Sequence, residues 1–143
     1  MKTGLRTGIA SGAALFLFAV IAPAAIAADP LDTNAYAGRW RADPDSVVSD
    51  ASCAPLDDVL NAGAQLVEIE RASRDLIRMT VTRRSASGGR ALDGPFIVSI
   101  ANEDGRAVMT RPGRRDAVVM EGADLFRLEP LDGGGPQIFR RCP

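Results

Sequence analysis

A mainly β fold is expected, a small antiparallel eight-stranded barrel with one short helix, and three observations predict it. Apolar side chains recur at every second position in several short stretches. Gly-, Pro-, Asn- and Asp-bearing clusters separate those stretches. A single segment, residues 52–62, carries helical rather than alternating spacing. Many short strands at such spacing argue for a barrel, with a β-sandwich as the alternative. Closing a barrel also removes exposed strand edges, as a chain expected to be monomeric requires.

In chain order, residues 28–35 carry Asp29, Pro30, Asp32 and Asn34 and are expected to form a flexible lead-in. The first strand is expected at 36–41, with Tyr36, Gly38 and Trp40 on one face. Asp43-Pro44-Asp45-Ser46 reads as a turn. The helix at 52–62 has Pro55 near its first turn, and Asp57 and Asp58 where the helix dipole favours acid. Leu56, Val59 and Leu60 share a face, and Gly63 is a natural stop. In residues 65–71, Val67 and Ile69 oppose Glu68 and Glu70. The clearest strand is 76–83, where Ile77, Met79 and Val81 alternate with Arg78, Thr80 and Thr82. Phe96, Val98 and Ile100 share the next face. Val108, Val118 with Met120, Leu125 or Phe126 with Leu128, and Ile138 with Phe139 mark four more strands. Between them lie turns with a mechanism: Asn102-Glu103-Asp104-Gly105, Arg111-Pro112-Gly113-Arg114 with Pro and Gly placed for type II, and Glu121-Gly122.

Residues 1–27 read as a secretory signal peptide. Lys2 and Arg6 form the positive start, residues 9–21 the apolar run, Pro23 its break, and Ala25-Ile26-Ala27 the small-x-small site, with cleavage before Ala28. The apolar run is short of the roughly 20 residues a membrane span needs, so no stable membrane anchor is expected. The chain is therefore expected to be periplasmic or secreted. About 116 residues remain, enough for one domain at 36–143. Cys53 and Cys142 are then an even count in an oxidising compartment, which favours a disulfide over two free buried thiols. It closes a loop of roughly 90 residues, worth about 4–5 kcal/mol in the chain-entropy model.

Losing Lys2 and Arg6 takes the formal charge from −1 to −3 and leaves a chain with no Lys and no His. Few aromatics and a negative balance exclude a nucleic-acid binder. Proton transfer near neutral pH usually employs His, Lys or a free Cys, so the composition disfavours an enzyme, although carboxylate-pair hydrolases need none of these. No cofactor motif is present. Gly133-Gly134-Gly135 lacks the Lys-Ser/Thr of a phosphate loop. Asp43, Asp45 and Asp50 lack calcium-loop spacing, so no metal is expected.

Gly38-x-Trp40 on a first strand before an eight-strand meander resembles the lipocalin-like, or calycin, barrels. In those families a Trp plugs one barrel end and a C-terminal Arg packs over its ring. The resemblance implies that role for Trp40 with Arg140 or Arg141. The chain is also similar to the bacterial periplasmic metalloprotease inhibitors, small barrels with one disulfide and a Leu-x-Gly-x-Trp start. Here Tyr36-Ala37-Gly38-Arg39-Trp40 stands in that place.

In an up-and-down barrel the connections at 42–63, 84–94, 112–115 and 130–136 fall at one end, the open mouth. Arg83, Arg84, Arg90, Arg111, Arg114 and Arg115 would form its rim. That rim suits an anion or an acidic partner surface, and solvated charge is the plainer reading. Cys142 ends the last strand at the opposite end, so a disulfide requires the chain after Arg41 to run back along the barrel. The expectation is a non-enzymatic exported barrel that binds a protein partner, with hydrolase inhibition as one form. Small-ligand binding is the alternative, and a carboxylate-based hydrolase a distant third. The lead-in is the flexible arm able to enter a partner's cleft.

Overall fold

The computed structural model describes residues 28–44 and 52–143; the expected signal peptide, Asp45 and Asp50 lie outside the described residues. Eight antiparallel strands run β1 (Gly38–Pro44), β2 (Gln65–Arg71), β3 (Leu76–Arg84), β4 (Arg90–Glu103), β5 (Arg106–Arg111), β6 (Arg114–Met120), β7 (Leu125–Pro130) and β8 (Gln137–Arg141). Each pairs with its sequence neighbour, and β1 pairs with β8, so the sheet closes as a barrel and not a sandwich.

Alternation along each strand decides what faces inward. Trp40 and Ala42, Val67 and Ile69, Ile77 and Met79, Val98 and Ile100, Phe126 and Leu128, and Phe139 form one buried cluster. Phe126 is its aromatic hub, edge-on to Tyr36 (5.3 Å between centroids) and Trp40 (4.7 Å) and stacked on Phe139 at 4.5 Å. Such pairs add about 0.5–1.5 kcal/mol each beyond the area they bury. The barrel interior is thus occupied by side chains.

Turn chemistry follows the sequence. Asp104 and Gly105 both have positive φ (52° and 84°), the geometry of a two-residue type I′ hairpin. Gly113 at φ 71° fits the third position of a type II turn after Pro112. The helix α1 is shorter than expected, Leu56–Asn61. Pro55 stands at its N-cap with extended ψ, and Cys53 is tied into a disulfide before the helix can begin. Burying Val59 and Leu60, α1 packs against β2 and β3.

Cys53 and Cys142 are bonded across 89 residues with Cα atoms 5.6 Å apart. Cys142 N donates to Arg39 O (2.9 Å), and Arg41 Nη1 donates to Ser52 O (2.8 Å). Residues 52–53 therefore lie beside the first half of β1, and Gln65 then pairs with Ala42 near its far end. The chain has run back and returned, so the alternation of connections between the two ends holds.

Two expectations change at the N-terminus. Tyr36 is not strand: Thr33–Tyr36 form a 3₁₀ turn capped by Asp32, whose side chain accepts from Asn34 N (2.9 Å). The lead-in expected to be flexible is tied down. Buried Thr33 donates its hydroxyl to Ser73 O (2.9 Å), and Tyr36 donates its own to Pro30 O (2.5 Å). Burial, reinforced by Asp29, holds the Tyr36 hydroxyl far above the ordinary tyrosine value.

Candidate functional site

The two ends of the barrel are built differently. At the closed end, Trp40 Nε1 donates to Tyr36 O (2.7 Å), and the Arg141 guanidinium sits 4.2 Å from the Trp40 ring centroid. Arg141 also donates to Ala37 O (2.7 Å) and Ala35 O (2.9 Å), stitching the lead-in to the last strand. Gly38, at φ +131°, makes room: a Cβ there would lie 2.7 Å from Arg141 Nη1. Arg140 does not share this role. It is one position out of phase, on the outer wall, with Nη1 3.6 Å from Asp43 Oδ2. Asp43 also carries a buried forked pair with Arg41 (Nε–Oδ2 3.0 Å), so its place is structural and not a cation site.

At the mouth, alternation carries charge inward. Counting back from Val118 puts Asp116 and Arg114 on the interior face of β6. Met109 pairs with Asp116, and Arg111 with Arg114. Asp116 is fully buried. Its Oδ1 accepts from Arg114 Nε (2.7 Å), and its Oδ2 from Arg111 Nη2 (3.1 Å). Arg111 Nη2 also reaches Gln137 Oε1 (3.2 Å), while Arg111 Nε is buried with no hydrogen-bond partner among the described residues. Burial pushes Arg111 below its ordinary value, Asp116 opposes that, and Arg114 adds to it. Two guanidinium groups thus share one carboxylate. They border a slot of about 180 Å³ lined by Phe96, Arg111, Pro112 and Arg114.

The rest of the expected rim is largely neutralised. Arg83 forms a close ion pair with Asp93, whose hydrogen bond and charge raise the guanidinium above its ordinary value. Arg90 pairs with Asp57 of α1 (2.9 Å), and Arg84 donates to Gly88 O (2.9 Å). Arg115 is out of phase with Arg114, lies on the outer wall and pairs with Glu103, so it does not face the mouth. Of the six expected arginines, Arg111 and Arg114 converge on one buried carboxylate at the slot, whereas exposed Arg84 keeps its charge on a carbonyl partner. Sequence reading missed Asp93 and Asp116, the carboxylates that set this charge balance. Asp116 was detectable by counting back from Val118 and Met120.

Elsewhere, a cleft of about 660 Å³ at the closed end is lined by residues of the lead-in, β2, the β2–β3 turn and β4, among them Asp29, Asp32, Asp75, Arg71 and Arg74. Glu68 and Glu70 sit on the outer wall opposite Arg39 (3.6 Å) and Arg78 (3.3 Å), each serving an exposed ion pair. Among the described residues, no group of three or more Cys, Asp or Glu is arranged to hold a metal ion. None of their helices is long and apolar enough to cross a membrane.

The architecture is a calycin-like eight-stranded antiparallel barrel. Comparison with family models, curated proteins and solved structures returns no match.

Proposed function

We propose that the protein is an exported, non-enzymatic binding protein that engages a protein partner through the mouth of its barrel. The observation that carries this reading is the Asp116–Arg111–Arg114 cluster at the rim of the slot. A buried ion cluster adds little stability over apolar side chains of the same volume, so its placement at the open end suits recognition better than folding. The filled interior supports a protein surface over a ligand held inside the barrel. Export rests on the signal-like residues 1–27 and fits the disulfide, which persists in oxidising compartments. Inhibition of a hydrolase, which the Gly-x-Trp resemblance to the periplasmic inhibitors suggests, is one form such binding takes.

The slot also admits a second reading, a small carboxylate held by Arg111 and Arg114. Capture from the envelope fraction separates the two. Wild-type protein is expected to retain a defined protein that Arg114→Glu retains at least about tenfold less, the equivalent of 1.4 kcal/mol. A small molecule seen by native mass spectrometry in place of a protein supports the second reading. Partner loss with Arg74→Glu at the closed end, but not with Arg114→Glu, overturns both. The exported form should begin at Ala28 by N-terminal sequencing; retention of Met1 in the cytoplasm contradicts export.

A further inference from the structure

The barrel does not close evenly at the mouth. Pairing of β3 with β4 continues out to Arg84–Arg90, whereas pairing of β4 with β5 begins only at Ser99–Thr110. Among the described residues, 90–98 of β4 thus have a strand neighbour on one side and an open backbone edge on the other. An exposed edge is a template for another strand. Here it carries the two most exposed large apolar side chains of the described residues, Leu92 (69%) and Ile97 (54%). The slot beside Phe96, Arg111, Pro112 and Arg114 lies against the same stretch, because Phe96 belongs to β4 and the others to the tip of the β5–β6 hairpin.

We propose that this edge takes a short extended peptide of the partner by strand addition, with an acidic side chain turned toward Arg111 and Arg114. The proposal rests on the reading of the mouth as the partner-binding end. Alternation supplies the geometry. An added strand sends every second side chain outward beside Leu92 and Ile97, and the others inward past Phe96 to the slot. Charge supplies the preference, since the slot sets two guanidinium groups against the single carboxylate of Asp116. A second copy of this chain would bring a second arginine pair to the seam.

Local backbone supplies the length limit. The β3–β4 register shifts between Met79 and Val81, at a bulge containing Gly94 and Pro95. Gly94 is held at φ +102°, and a Cβ there would lie 2.8 Å from Met79 O. Pro95 has no N–H to donate, so the edge accepts a short complement and resists open-ended self-pairing.

The test selects peptides from a displayed random library on the purified protein, then measures the synthesised winners by fluorescence anisotropy and hydrogen exchange. Enriched peptides should be Pro-poor and carry a carboxylate, and exchanging it for Lys should weaken binding at least about tenfold. Binding should slow amide exchange at 90–97. The double variant Leu92→Lys/Ile97→Lys should lose binding while keeping the wild-type thermal midpoint, because both side chains are exposed. Enrichment without acidic residues, protection elsewhere, or no enrichment overturns strand addition. So does peptide-free protection of β4 that grows with protein concentration, which would make a second copy the occupant. Partner capture that remains sensitive to Arg114→Glu but indifferent to the Lys pair rejects the strand while leaving the mouth as the binding end.

Discussion

Replacing Asp116 by alanine is expected to cost about 3–5 kcal/mol of folding stability, because it strands a buried cation. The side chain is 0% exposed and binds two guanidinium groups that are 16% (Arg111) and 34% (Arg114) exposed. Arg114 can turn to water once released. Arg111 cannot do so as readily: its Nε already has no hydrogen-bond partner among the described residues, and Gln137 is the acceptor left to its Nη2. The loss therefore comes mainly from Arg111. A second change that removes its charge, Arg111→Met, should return most of the stability, since apolar replacements of buried ion clusters are often neutral or stabilising. Urea unfolding followed by the fluorescence of Trp40, the single tryptophan and fully buried, reports both variants at unchanged m-value. A loss under about 1 kcal/mol for Asp116→Ala, or a double variant as weak as the single one, refutes the reasoning.

Other consequences concern the closed end. Gly38→Ala forces a Cβ into Arg141 at positive φ and should cost about 1–3 kcal/mol, with little further loss when Arg141→Ala is added. Full additivity in a double-mutant cycle would show that the two do not interact. Tyr36 is the single tyrosine, and its hydroxyl is held far above its unfolded value near 10. Its contribution is fully present below about pH 10 and is lost as pH rises toward the folded value, by about 1.4 kcal/mol at about pH 11. Tyrosinate absorbance should then appear only with unfolding, and Tyr36→Phe should flatten that alkaline slope; ionisation of the folded protein near pH 10 contradicts the burial. Replacing Cys53 and Cys142 together by serine should lower stability by about 2–5 kcal/mol in denaturant titration, and an unchanged midpoint would mean the 89-residue crosslink constrains nothing.

Strand existence was legible because Ile77-Met79-Val81 and Phe96-Val98-Ile100 obey the two-residue period of a half-buried sheet. The early part of β4 was not. Arg90-Ala91-Leu92-Asp93-Gly94-Pro95 has the composition of a loop, and the bulge at Gly94–Pro95 breaks the period that would have revealed a strand. That same irregular stretch leaves the open edge, so the expectation that closure removes edges fails just where the mouth forms. The mouth itself was half legible. Position along the chain places the arginines at turns on the rim, whereas the pleat sends Arg114 inward and Arg115 outward. Asp116 opposed its own propensity by standing at a core position, and a buried carboxylate is expected only where its cations are already known. At the other end, the face shared with Phe139 selects Arg141 over Arg140 once the last strand's phase is known.

The most direct test of the mouth as the recognition surface is site-specific photo-crosslinking in intact cells, with the crosslinking residue placed at position 97 or at position 74. Recognition through the mouth predicts a discrete adduct from position 97 that Arg114→Glu abolishes, and none from position 74 beside the closed-end cleft. An adduct from position 74 alone would contradict it.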